Sequence, residues 1–431
     1  MTVHQGIFPR RVLLIATTTG YQTRIFEEAA SRMGVELVYA TDRCDHLDDP
    51  WQDGAIAVRF HDHGASLEAI ATALRHRPVA GVLAVGDRPA VLAAAVRTAH
   101  GLPGHAPEAA AIARDKRLTR ERLRGAGLPT PRVTLLKASE DESVLASRLA
   151  YPVVVKPTTL SASRGVIRAD DSASFVAAVA RIRRLLASPD IRMAREDNDG
   201  ELQVEQYIVG REYAIEGLME HGAFRALAVF DKPDPLVGPF FEETLYVTPS
   251  RAPAPSQQAM IDAVHRGAAA IGLHHGPIHA ECRVSQQGVY VLEIAARPIG
   301  GLCARALRFT ERGTDARISF EELLLRHALG EPTARWTREG AASGVMMIPI
   351  PRGGVYRGVH GVDAAVSQQG IEALVMTAKE GQTLVPLPEG ASYLGFIFAR
   401  AETPAEVERD LRHAHAQLTF AIDPLLRVLT Q

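Results

Sequence analysis

At 431 residues, with 48 basic against 50 acidic side chains and a net charge of −2, the chain has room for roughly two to four domains but offers no basic field for nucleic acid. Its three cysteines, Cys44, Cys282 and Cys303, stand at no paired spacing, which argues against a disulfide scaffold or a zinc site and for a reducing compartment. The apolar run after Arg10-Arg11 is too short for a signal and continues into Thr17-Thr18-Thr19-Gly20, and no stretch approaches the ~20 apolar residues of a membrane span. The expected location is therefore the cytoplasm, with neither a membrane nor nucleic acid as partner.

The chain begins with strand, helix and strand. Residues 12–16 read as a buried strand, 22–33 as a helix with Ile25, Phe26, Ala29, Ala30 and Met33 on its apolar face, and 35–40 as the next strand. The alternation continues through Leu67 to Leu74, Gly81 to Val85 and Pro89 to Thr98, which predicts a small Rossmann-like parallel-sheet domain over 1–106. It has no G-x-G-x-x-G and so is no credible dinucleotide site. Asp87, just past a strand end at Gly86, could face a ligand, with a helix N-cap as the expected role.

From Ala113 the sequence predicts a helix stopped by Gly127 and the prolines of Leu128-Pro129-Thr130-Pro131, with Lys116 near its start. Tyr151-Pro152-Val153-Val154-Val155-Lys156-Pro157 is a short buried strand ending in a lysine. The loop from Thr158 to Gly165 follows, with a second strand from Val166. Its backbone N–H groups and hydroxyls, with Lys156 and Arg164, could cradle an anion, although it is no Walker loop and could equally be a polar surface hairpin. The acidic and basic run Arg192 to Gly200 reads as a solvated insertion. Val204 to Tyr213 runs from a strand end into a glycine turn, and a backbone hinge there could bond an adenine edge. Phe230 to Arg251, with four prolines, reads as a stiff, shaped segment rather than a helix or a central strand.

Val284 and Val289 bracket Ser285-Gln286-Gln287-Gly288. If Ser285 pairs with Val289, the loop is three residues long with Gly288 in the left-handed region, and Glu281 falls directly opposite Glu293. Facing carboxylates repel, so a cation between them is expected, with Mg²⁺ the natural choice for oxygen donors. A hairpin of solvated glutamates, or a register that puts the acids on opposite faces, stays open. Arg297, four residues on, is expected on the face of Glu293, about 13 Å along an extended strand. After a helix at Ser319 to Leu329 come short strands near Gly344 to Ile350, Ile371 to Lys379 and Tyr393 to Ala399, and then a helix at Pro404 to Ala416.

Taken in order, a lysine-bearing helix ending in G-L-P-T-P, V-V-V-K-P with S-R-G-V, an acidic hinge, and H-x-E with E-x-x-x-R-x-x-G-G resemble the ATP-grasp superfamily. Within it they resemble the carboxylate–amine ligases typified by bacterial L-amino acid ligases and carnosine synthase. The resemblance implies a mixed α/β and α+β fold: the N-terminal Rossmann-like domain, a central two-subdomain ATP-binding unit over 107–310 with its lid near 130–205, and a C-terminal α+β domain over 311–431 packed over the active site. It implies that Lys116, Lys156, Ser163, Arg164 and Gly165 face ATP phosphates. Glu205, Gln206, Tyr207 and Ile208 would then form the adenine hinge and Glu212 a ribose contact. Glu281 and Glu293 would hold Mg²⁺, with Mn²⁺ as a substitute, and Arg297 with the amides near Gly300 and Gly301 would hold the acyl phosphate. Glu243 becomes an ammonium contact or general base, and Tyr246 lines the amino acid pocket. Ala295 stands where the superfamily commonly has an asparagine ligand.

The expected activity is ATP-dependent joining of a small-molecule carboxylate to an amine through an acyl phosphate, with release of ADP and phosphate; a homodimer is allowed. A purine-pathway or biotin-carboxylase type of ATP-grasp enzyme is the first alternative, and a non-catalytic ATP-binding module the second.

Overall fold

The computed structural model describes residues 10–17, 22–42, 54–194 and 200–425. Thr18 to Gly20, Cys44 and the Arg195 to Asp199 part of the predicted solvated insertion lie outside the described residues.

The N-terminal strands Val35–Thr41, Arg10–Ala16 and Gly81–Val85 lie side by side and parallel, with Ile56–Ala57 at the edge. Val12 to Ala16 are fully buried because helices cover both faces of a parallel sheet, which is why these strands read as unbroken apolar runs. Asp87 is not the cap of the helix Asp87–Ala99: Gly86, at φ 99°, takes the cap position and leaves the Asp87 carboxylate free to turn inward.

The predicted helix around Lys116 is two helices, Pro107–Arg114 and Lys116–Gly125. Asp115 separates them in an extended conformation and caps the second through its side chain, which accepts from Leu118 N at 2.9 Å. Lys116 is thereby placed at a helix start, its amide donating to Thr158 O at 3.0 Å.

Strands Val133–Leu136, Leu202–Gln206, Val153–Pro157 and Ile167–Ala169 form a four-stranded antiparallel sheet backed by the helix Ser172–Leu186. The largest sheet has eight strands, in spatial order Gly288–Ala295, Gly276–Ser285, Arg211–Glu220, Ala223–Asp231, Leu245–Thr248, Ala342–Ile348, Gly395–Ala401 and Ile371–Met376. Two expectations change here. Leu245–Thr248, inside the proline-rich segment, is a central strand between Ala223–Asp231 and Ala342–Ile348; its prolines fall just outside it, where no ladder N–H is needed. The strands predicted for a separate C-terminal α+β unit also continue the central sheet, and the helix Pro404–Ala416 packs on them. Among the described residues no helix is long and apolar enough to cross a membrane.

Candidate active site

Where the parallel sheet, the four-stranded sheet and the eight-stranded sheet meet, they enclose a cavity of about 480 Å³. Lys116, Lys156, Ser163, Glu205, Gln206, Tyr207, Ile208, Glu212, Glu243, Tyr246, Glu281, Glu293, Arg297, Gly300 and Gly301 all line it. Of the residues singled out in the sequence, Arg164 and Gly165 are turned away from it. Gly165 N donates to Pro388 O at 2.8 Å, and Arg164 reaches Glu389 O and Asp190, each at 2.6 Å, so this end of the loop is tied to the 386–391 segment.

At one end of the cavity the Lys156 ammonium lies 2.6 Å from the Glu205 carboxylate, which also accepts from Arg120 at 2.7 Å. Burial alone would raise the Glu205 carboxyl, but Arg120 and Lys156 together hold it down at about 2; burial pushes Lys156 down to about 8. The Glu205 side chain is thus spent on this buried network, while Gln206, Tyr207 and Ile208 line the cavity. Arg120, 1 % exposed, donates as well to Leu292 O at 2.7 Å and so fixes the hinge strand against the hairpin. Lys116 Nζ donates to Leu160 O at 2.5 Å, beneath the Ser161 to Gly165 loop, in which Ala162 and Ser163 adopt positive φ. Past the hinge, Gly210 at φ 156° passes so close to Val284 that a Cβ would sit 2.2 Å from its carbonyl oxygen, which leaves glycine the only choice.

At the other end the hairpin differs in detail from the predicted register. Ser285 pairs with Gly288 and Val284 with Val289, a two-residue loop with Gly288 at φ 123°, and this register alone would not set Glu281 against Glu293. A bulge after Glu281, at the position of Leu292, shifts the ladder by one residue and restores Glu281 opposite Glu293. The cation nearest Glu281 comes from elsewhere: Lys232, which the sequence reading passed over, lies with Nζ 2.9 Å from both Glu212 and Glu281 and also bonded to Glu243. The oxygens of these three glutamates lie within 4.8 Å of one another, a hard-donor set of the kind a divalent ion takes. Burial alone would depress the Lys232 ammonium, but the three carboxylates hold it well above its ordinary value. Three acids against one lysine leave the cluster negative, and burial, reinforced by the charge of Glu281, raises Glu243 to about 7. Tyr246 donates to Glu243 at 2.9 Å.

Arg297 does not stand 13 Å along the strand. The strand ends at Ala295 and the chain turns, which brings the guanidinium within 3.8 Å of Glu293 and into a two-bond pair with Asp87 at 2.7 and 3.1 Å. Asp87, expected as a cap, thus belongs to the cavity wall, and only the fold brings it 210 positions along the chain to Arg297. Ala295, at the usual asparagine position, is 3 % exposed and opposite His279, so a methyl group fills the place of a ligand. Cys282 and Cys303 are free, buried thiols, as expected for Cys282.

A model of the ATP-grasp domain matches residues 149–306, and one of the L-amino acid ligase C-terminal domain 2 matches residues 346–423. The chain carries an ATP-grasp domain. The chain is 30 % identical over 193 residues to D-alanine–D-alanine ligase of Aromatoleum aromaticum, covering 44 % of this chain and 58 % of that protein. It is 28 % identical over 215 residues to alanine–anticapsin ligase of Bacillus subtilis, covering 46 % and 44 %. It therefore spans about half the length of these curated relatives. An L-amino acid ligase structure from Bacillus licheniformis superposes with a TM-score of 0.79 at 24 % identity, over 96 % of this chain and 99 % of the other, which shows the shared fold.

Proposed function

We propose that this ATP-grasp chain converts a carboxylate to an acyl phosphate at the expense of ATP and joins it to an amine, with an amino acid among the substrates, releasing ADP and phosphate. The observation that carries this reading is the single cavity that joins the lysine-lined hinge to the carboxylate cluster and the Arg297 turn. The relatives named as alanine–anticapsin and D-alanine–D-alanine ligases favour amide formation over carboxylation.

A carboxylate is a poor acyl donor at neutral pH, and phosphoryl transfer asks the protein mainly for position and charge neutralisation. Lys116 and Lys156 would hold the phosphates, with Ser163 and its neighbours over them, while Gln206 to Ile208 seat the base and Glu212 the ribose. Glu281 and Glu293, opposite each other across the hairpin, would hold Mg²⁺ or Mn²⁺, which would neutralise phosphate charge, and carboxylate oxygens suit such an ion. Arg297, fixed by Asp87, would present its remaining donors to the acyl phosphate, together with the amides of the Gly300-Gly301 turn. Glu243, which bonds Tyr246 and Lys232, would take the ammonium of an amino acid or the proton that the attacking amine gives up. The loop from Ser161 to Gly165, tied to Pro388 and Glu389, would keep water from the acyl phosphate.

The test is ADP release against panels of acids and amines, with products read by mass spectrometry. Release that needs both an acid and an amine, with an amide formed, is the expected result. Nucleotide binding without turnover for any pair, or turnover that needs bicarbonate, would overturn the reading.

A further inference from the structure

Behind the cavity wall, and absent from its lining, lies Glu216, on the strand Arg211–Glu220 and fully buried. Its cross-strand neighbour in the ladder is His279, so the two side chains share a face of the sheet. His279 Nδ1 donates to Glu216 Oε1, while the other oxygen, Oε2, accepts from Ile299 N at 3.1 Å. On the far side of the ring, His279 Nε2 lies 3.7 Å from Glu281 Oε1. One buried carboxylate thus joins the H-x-E acid, through an imidazole, to the backbone of the Arg297-Pro298-Ile299-Gly300-Gly301 turn.

We infer that Glu216 is a positioning residue that locks the acid Glu281 and the Ile299 to Gly301 turn in one register. The inference rests on the proposed ligase reading for its effect on turnover, but not for its effect on structure. A carboxylate with no exposure is expensive to keep ionised unless both oxygens are bonded, and here each oxygen bonds a different part of the site. An apolar residue would fill the same space and satisfy the strand equally well, so the acid is explained by what it holds rather than by packing. Arg297 needs no such brace because Asp87 already holds its guanidinium by two hydrogen bonds. The division is then two anchors for one wall: Asp87 from the parallel sheet for the guanidinium, and Glu216 from the central sheet for the turn's amide and the acid.

The test compares Glu216→Gln with Glu216→Leu in the full chain. Glutamine keeps an oxygen for Ile299 N and, once the ring carries its proton on Nε2, an amide that donates to Nδ1, whereas leucine keeps only the volume. Hydrogen exchange read by mass spectrometry should show the peptide containing Ile299 losing protection in Glu216→Leu and keeping it in Glu216→Gln. With the folded enzyme, Glu216→Leu should lower kcat about 100-fold or more with the KM for ATP within about threefold, and Glu216→Gln should restore most of the loss. If both variants lose thermal stability while the folded fraction keeps wild-type kcat and Ile299 protection, Glu216 is a packing residue and the inference fails. Should the wild type turn over no acid–amine pair, the ligase reading fails by itself, and the Ile299 exchange contrast still decides whether the brace exists.

Discussion

Mild acid should weaken this protein through a group of histidines remote from the cavity. His275 and His327 stack with ring centroids 4.3 Å apart, His221 lies 4.6 Å from His275, and His105 Nδ1 accepts from His274 N at 3.1 Å. Among the described residues His275 Nδ1 and His327 Nε2, both buried, have no hydrogen-bond partner, a situation an imidazole tolerates only when neutral. Burial, reinforced by Arg97 at His105 and by His275 at His327, lowers both His105 and His327 to about 3. These folded values lie below the unfolded 6.5, so the unfolded chain takes up protons that the folded chain refuses. The stability is therefore complete above about pH 6.5 and is lost as pH falls below it. Between pH 7 and pH 5 protonation of the unfolded imidazole favours the unfolded chain by a factor of about 25, which is about 2 kcal/mol per histidine. Two such groups remove about 4 kcal/mol from a total typically near 5–15 kcal/mol. Glu243, raised to about 7, moves the opposite way over the same range, so the informative quantity is a difference. Urea unfolding followed by circular dichroism at pH 7 and pH 5 should show that His327→Gln loses about 2 kcal/mol less than the wild type on acidification. A difference in that loss below about 0.5 kcal/mol would mean that His327 titrates normally in the folded protein, and the reasoning would fall.

The metal and anchor assignments carry their own outcomes. Glu293→Gln keeps the shape of the side chain and removes one charge, so Mg²⁺-dependent turnover should drop about 100-fold or more; steady-state rates across a Mg²⁺ series check this, and unchanged activity would remove Glu293 from the site. Asp87→Asn and Arg297→Lys should each lower ligation with ATP affinity within a few fold, and a double-mutant cycle should return a coupling of about 1 kcal/mol or more, since the two groups share two hydrogen bonds.

What could be read from the sequence follows from what stays local. Val12 to Ala16 and Gly81 to Val85 are recognisable because a strand buried on both faces must be apolar throughout, and Glu281 and Glu293 because a hairpin turn fixes their distance. Even there the agreement had two parts. The loop was one residue shorter than expected, and the bulge at Leu292 supplied the missing residue of register. Period and turn chemistry give no sign of such a bulge, because Leu292 is an ordinary strand residue. The central strand Leu245–Thr248 was hidden for a related reason: prolines before and after it obscured four residues whose pairing partners lie about 100 positions away, at Ser343 to Met346.

Several other misses are charges whose meaning depends on distant partners. Lys232, Arg120 and Glu216 look like solvated residues in sequence, which is the usual fate of such side chains, and Asp87 looks like a cap. Each is buried or nearly so, and each is tolerated only because an opposite charge or a fixed hydrogen bond reaches it from another element. An ion pair between positions 87 and 297 leaves no periodic trace, so the residues that line the cavity could be named one by one while the links between them could not. The same physics makes those links the sensitive part of the site. Removing either member of a buried pair strands the other in a medium that cannot solvate it, so the wall of this cavity should respond more sharply to changes at Asp87 and Lys232 than to changes at its exposed rim.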